Sequence, residues 1–167
     1  MRLTSEPLTA AAFAPFGDVI ETGADCERRT INAGVTERLH DLAQLTLDAQ
    51  GGRPCLSIFR TTPLPLPLEL SMLERHPLSS QAFVPLSGRP WLVVVAPPGE
   101  PAPASARAFL ARADQGVNFH PGTWHHFSLA LDAPSDFLVV DRTDGAADCD
   151  EITLDDPLCI TIEDAHT

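Results

Sequence analysis

Apolar residues along the chain fall into short runs of four to eight positions, each closed by turn-forming residues. Leu56 to Arg60, Leu68 to Glu74, Gln81 to Leu86, Trp91 to Ala96, Val117 to His120, Trp124 to Leu131, Phe137 to Asp141 and Leu158 to Ile162 are apolar or alternate apolar with polar. Between them stand Pro63, Pro65 and Pro67, then Gly88-Arg89-Pro90, Pro97-Pro98-Gly99, Pro121-Gly122 and the Asp132 to Ser135 stretch. Short strands at this spacing predict an all-β sandwich or barrel. Helix is a minor component: Leu8 to Phe13, with Thr9 as its cap, and Ala104 to Ala113 are the two candidates. The proline-rich stretch Pro97 to Ala106 reads as a surface loop, because too little chain lies on either side of it to form two domains.

Composition narrows this picture. A chain of 167 residues is expected to form a single domain over 1–167. With 44% hydrophobic but only 6% aromatic residues, its core is expected to rest on Leu, Val, Ile and Ala. The formal charge of −12 opposes binding to nucleic acid and to anionic membranes. All 11 basic residues are arginines, which excludes Schiff-base catalysis by a side-chain lysine and a Walker-type phosphate loop. Cys26, Cys55, Cys149 and Cys159 show no CxxC spacing and read as reduced thiols. The short apolar run from Ala10, broken at Pro15, reads against a signal peptide, and no stretch approaches the ~20 apolar residues of a spanning helix. A cytoplasmic protein is expected. From about residue 143 to 167 the chain holds eight of its 23 acids and no Lys or Arg. That segment is expected to be a solvated, partly disordered face, since the DxDxDG spacing of a calcium loop is missing.

Candidate chemistry gathers in two places. Three of the six histidines lie within Asn118-Phe119-His120-Pro121-Gly122-Thr123-Trp124-His125-His126. A type II turn centred on Pro121-Gly122 would make this a hairpin with Asn118, His120, Thr123 and His125 on one face, though type II twist suits a hairpin less well than primed turns and a register slip of one would put His126 in place of His125. The second cluster is Glu74-Arg75-His76-Pro77 followed by Gln81. Proline after His76 favours an extended conformation there, putting Glu74 and His76 on one face. Glu74, His76, Gln81, His120 and His125 offer carboxylate, imidazole and carboxamide groups suited to Zn, Ni, Mn or Fe.

The two clusters resemble a degenerate pair of cupin motifs, with Glu74-x-His76-x4-Gln81 in place of His-x-His-x4-Glu and Gly122-x2-His125 in the second. More specifically, the sequence resembles the ureidoglycolate lyase family. Ala14 to Glu21, Ile31 to Gly34, Arg38 to Ala43, Leu73 to Pro85, Gln115 to His126 and Asp136 to Arg142 carry the likeness. The chain departs from the family where Leu39 and Phe119 replace Tyr, where Ala33 and Pro121 replace Asn and Arg, and where Thr143-Asp144 replaces Gly-Gly. The resemblance implies a cupin-like double-stranded β-helix, a jelly-roll barrel with minor helices, and a homodimer. It also implies cleavage of ureidoglycolate to glyoxylate and urea in allantoin and purine catabolism. Alternatives from other classes are a non-catalytic cupin that binds small carboxylates, a paralogue with altered substrate, and a cupin oxygenase, for which the iron shell is too poor in histidine.

Expelling urea requires that the substrate carboxylate be fixed, its hydroxyl deprotonated and the departing nitrogen protonated. Glu74, His76 and His125 are expected to form the metal or substrate-polarising set, with Gln81 as a fourth ligand or a hydrogen-bond donor. The metal is divalent, nickel being one candidate, and no organic cofactor is expected. His120 is the expected general acid/base. Arg60 and Arg142 are candidate clamps for the carboxylate, and Asn32 and Asn118 for the ureido group.

Overall fold

A computed structural model describes residues 1–23 and 26–162. Its elements, in chain order, are β1 (Arg2–Pro7), α1 (Ala10–Phe13), β2 (Gly17–Ile20), β3 (Glu27–Ile31), β4 (Thr36–His40), β5 (Arg53–Thr61), β6 (Leu68–Arg75), β7 (Gln81–Pro85), β8 (Trp91–Ala96), β9 (Arg107–Ala111), β10 (Gly116–Phe119), β11 (Trp124–His125), β12 (Leu129–Ala130), β13 (Ser135–Thr143) and β14 (Asp150–Thr161). Strands β6, β14, β1, β9 and β8 lie side by side, and β11 pairs with both β6 and β8 to close them into a barrel. Pairing is mixed, because β1 runs parallel to both β14 and β9. A five-stranded sheet, β2-β10-β7-β13-β5, covers one side. The fold is all-β and cupin-like.

Two apolar layers hold these sheets. Leu68, Leu70, Leu73, Leu92, Val94, Ala96, Ala108, Trp124, Leu158 and Ile160 come from barrel strands and form one buried cluster. The other lies between barrel and sheet, where Trp91, Val93, Val95 and Phe109 meet Phe83, Val117, Phe119, Phe137 and Val139. Strand β8 sends alternate residues into each cluster, which is why Trp91 to Ala96 is apolar without interruption. The expectation of an aliphatic core holds only inside the barrel. Six of the eight phenylalanines, with Trp91, occupy the interlayer cluster, where large rings span the gap between packed sheets.

Thr9 caps α1 as expected, accepting a hydrogen bond from Ala12 N at 3.2 Å. Three other expectations need correction. Ala104 to Ala113 is not a helix: a 3₁₀ turn over Pro103–Ser105 leads into β9, whose place between β1 and β8 overrides the helix propensity of Ala, Arg and Leu. The described part of the acidic segment is built into the sheet: Leu154, Leu158 and Ile160 of β14 are buried while Asp155 and Asp156 stay in solvent. Glu163 and Asp164 lie outside the described residues. The third concerns Pro121-Gly122. The type II turn is present, with Gly122 at φ +81 and Thr123 N donating to His120 O at 3.1 Å. Its two flanks nevertheless join different sheets, β10 pairing with β2 and β7 while β11 pairs with β6 and β8. Type II twist suits a hairpin poorly, and here the turn makes a corner between layers.

Candidate active site

The corner at Pro121-Gly122 decides which side chains meet. On β10, Val117 and Phe119 point into the interlayer core, so Asn118 and the following His120 lie on the opposite side. Asn118 is buried there, and its Nδ2 donates to Asp18 Oδ2 at 2.9 Å and to Gln44 O at 3.0 Å. His120 Nε2 sits 3.1 Å from the same Asp18 oxygen. Burial alone would raise the Asp18 carboxyl, but hydrogen bonds from Asn118 and Gln44 N and the adjacent His120 hold it below the ordinary carboxylate range.

His125 faces the other way, onto Glu74 and His76. It is paired in register with Glu74 of β6, its Nδ1 3.8 Å from Glu74 Oε1. Its ring lies 5.5 Å from that of His76 and stacks on Phe119 at 4.2 Å with planes 4° apart. The stack needs an aromatic face and no hydroxyl, so phenylalanine satisfies it where the family resemblance leads one to expect tyrosine. Ligand atoms of Glu74, His76 and His125 all lie within 4.8 Å of one another. His125 is 1% exposed, and burial, with His76 nearby, pushes its pKa down to about 3. It is therefore neutral, with a lone pair to offer, at any physiological pH. Burial raises the Glu74 carboxyl, offset in part by His76 and reinforced by Glu151 on the neighbouring strand.

The tautomer of His76 follows from its partner. Its Nδ1 lies 2.6 Å from the Asp148 carbonyl, which can only accept, so Nδ1 carries the proton and Nε2 the lone pair. His76 Nε2, His125 Nε2 and Gln81 Oε1 are all buried and have no hydrogen-bond partner. Buried acceptors without donors are costly unless a ligand satisfies them. Two imidazole nitrogens, a carboxamide oxygen and a carboxylate form a donor set that fits a divalent transition metal.

His76 and Gln81 also line a cavity of about 400 Å³, with Ser79, Asp141, Arg142, Asp148 and Cys149 among its walls. Arg142 is thus brought to the site, but its guanidinium is committed. It donates to Ala49 O and Ala146 O and lies 3.6 Å from Asp148 Oδ2, with only 3% of the side chain exposed. Asp148 was not foreseen as a site residue. Besides its carbonyl bond to His76, its carboxylate accepts from Leu78 N and Ser79 Oγ, both at 2.6 Å. Nothing in the acidic run of residues 144–156 distinguishes this aspartate from its neighbours.

Two expected substrate groups lie elsewhere. Arg60 is 74% exposed and makes a bidentate ion pair with Asp136, its partner on β13. Asp136 and Asp141 are five residues apart on that strand, which separates Arg60 from the cavity end by about 17 Å. Arg60→Ala is therefore expected to leave KM for the substrate unchanged in steady-state kinetics. Asn32 stands at the exposed tip of the β3–β4 hairpin, where its Nδ2 donates to Thr36 Oγ1. Its neighbour Ala33 has φ +57, a left-handed conformation that asparagine, which the resemblance leads one to expect there, adopts at lower cost.

The sequence model of ureidoglycolate lyase matches residues 1–161. The chain belongs to the ureidoglycolate lyase family. It is 52% identical over 159 residues to the ureidoglycolate lyase of Burkholderia mallei (strain NCTC 10229), covering 95% of this chain and 93% of that one. To the protein of the same name from Azotobacter vinelandii it is 54% identical over 154 residues, 90% and 92% of the two chains. The Brucella melitensis biotype 2 ureidoglycolate lyase is 56% identical over 140 residues, 84% and 82% of the two.

Proposed function

We propose that this protein is a ureidoglycolate lyase, cleaving ureidoglycolate to glyoxylate and urea in purine catabolism by way of allantoin. Family membership supports the reaction. The observation that supports its placement is that ligand atoms of Glu74, His76 and His125 lie within 4.8 Å of one another, with His76 Nε2, His125 Nε2 and Gln81 Oε1 buried and partnerless and His76 and Gln81 sharing one cavity wall.

Glu74, His76, His125 and Gln81 would hold a divalent metal, nickel among the candidates. Such an ion would supply Lewis-acid polarisation of the substrate's oxygens. The cavity's charge supports this need: Asp141, Asp144 and Asp148 line it, and Arg142 has already given its hydrogen bonds to protein carbonyls. An anionic substrate entering such a wall requires a counter-charge. Around the ligand set, the Asp148 carbonyl aims the His76 ring and the Phe119 stack fixes the plane of His125. Neither imidazole can swing without losing its support.

Incubating the purified, metal-loaded chain with ureidoglycolate and measuring urea, glyoxylate and ammonia tests the proposal. Equal yields of urea and glyoxylate support it. Ammonia in place of urea indicates amidohydrolase chemistry, and absence of turnover returns the protein to the class of binding modules.

The homodimer is also part of this reading. Strand β5 is the edge of the five-stranded sheet, and its Leu56 and Ile58 are 69% and 55% exposed. On the same face stand Leu138 and Val140, opposite them in register, and Leu86 is exposed at the end of β7. A second copy covering this apolar face accounts for it. Sedimentation equilibrium is expected to return twice the chain mass, and a monomer at micromolar concentration would remove the dimer. All four cysteines are free thiols, which fits a reducing compartment such as the cytoplasm. Among the described residues no helix is long and apolar enough to cross a membrane.

A further inference from the structure

The reaction needs a group that takes the hydroxyl proton and returns one to the departing nitrogen, and the cavity wall offers few that are free to do so. Asp144 is paired with Arg53 at 2.6 Å. Asp148 holds Leu78 N, Ser79 Oγ and the Arg142 charge. His76 is engaged through Nδ1, and its Nε2 belongs to the ligand set. The Cys149 thiol is pushed up by burial and by the carboxylates of Glu74, Glu151, Asp150 and Asp148, which keeps it protonated. His120 is held by Asp18 on the far side of β10.

Asp141 remains. It follows Phe137 and Val139 on β13 with the strand's period of two, so its side chain continues the inward-facing row past the end of the interlayer core. There it lines the cavity with His76 and Gln81. Val140 is paired with Ala82, which places Asp141 one register step along, level with Gln81. It is half-buried and, among the described residues, its carboxylate has no hydrogen bond or ion pair. A carboxylate lining a polar cavity with no structural partner is available for chemistry.

Resting on the lyase reading above, we infer that Asp141 is the proton carrier of the carbon–nitrogen cleavage. Its carboxylate takes the proton of the substrate hydroxyl. The O–H electron pair becomes the new C=O bond of glyoxylate as the C–N pair leaves with the ureido nitrogen. The same proton then passes from Asp141 to that nitrogen, releasing neutral urea and restoring the carboxylate. No water, oxidant or further proton is consumed.

Asp141→Asn is nearly isosteric and tests this directly. In the metal-loaded protein, kcat for urea release is expected to fall by about 10²–10⁴-fold, the usual worth of a positioned acid/base, with KM little changed. Nickel binding by the metal-free variant, followed by calorimetric titration with NiCl2, is expected to match wild type. In Asp141→Ala, added formate is expected to restore part of the lost rate, a rescue that a structural role would not give. An Asp141→Asn protein with near wild-type kcat overturns the inference and leaves the lyase reading standing. So does a loss of turnover matched by loss of nickel binding and not rescued by formate. If wild type itself releases neither urea nor glyoxylate, the two fall together.

Discussion

Replacing His125 with alanine is expected to abolish urea release, lowering kcat/KM by more than the roughly 10–100-fold that losing an outer supporting contact costs a metal site. The imidazole offers the buried, partnerless Nε2 and is the cross-strand neighbour of Glu74. Its low pKa, about 3, keeps that nitrogen unprotonated throughout any practical assay. Removing the ring also leaves Phe119 without its stacking partner, so some loss of stability accompanies the loss of function. His125→Asn keeps a polar side chain of smaller volume and separates the two effects: folding recovers and turnover does not. His120→Ala provides the contrast. Although only five positions away, it removes an imidazole held by Asp18 and is expected to retain most of the activity. Full urea release by His125→Ala, measured at saturating nickel, would remove the site assignment.

The second large effect concerns Asp148. Its carboxylate simultaneously satisfies the Leu78 amide, the Ser79 hydroxyl and the Arg142 charge, and its side chain is only 9% exposed. Asp148→Ala leaves a buried guanidinium without its anion and is expected to cost about 3–5 kcal/mol. For a chain of this length that corresponds to a fall in Tm on the order of 10 °C, read by calorimetry or circular dichroism. The same change frees the segment whose carbonyl fixes the His76 tautomer, so nickel affinity is expected to fall with stability. Asp148→Asn keeps one acceptor, for the Leu78 amide, but turns the oxygen that faces Ser79 Oγ and Arg142 into an amide donor and removes the charge, and is expected to fall between alanine and wild type. An unchanged melting temperature in Asp148→Ala would show that the Arg142 hydrogen bonds to Ala49 and Ala146 suffice alone.

These two residues differ in how far the sequence exposes them. His125 is legible, since it stands in a dense histidine cluster behind a Pro-Gly turn and matches the second cupin motif. Glu74, His76 and Gln81 are legible for the same reason, as a spaced set of ligand-type side chains. Asp148 is not, because its role runs through a backbone carbonyl and through contacts 69 and 70 residues away in the chain. Asp141 lies between: its Asp-Arg ending on an apolar strand is visible, but both residues line the cavity, and only the tertiary contacts show that Arg142 is committed to Ala49 O and Ala146 O while Asp141 is not paired.

By itself the sequence determined the all-β class, most strand positions, the turn at Pro121-Gly122, the family, and the chemical types gathered around Glu74 and His125. Local rules suffice for these, because period-two alternation and turn propensity act over a few residues. Tertiary structure decided which side chains share a site. Sending β10 and β11 to different layers turned Asn118 and His120 away from His125 and brought Glu74 and His76 toward it. Pairing β5 with β13 spent Arg60 on Asp136. Pairing β14 with β6 drew the acidic segment back along the barrel, where Leu158 and Ile160 reach the core and Asp148 comes to rest against His76. Each of these outcomes depends on burying apolar surface across distant parts of the chain, and no local pattern encodes it.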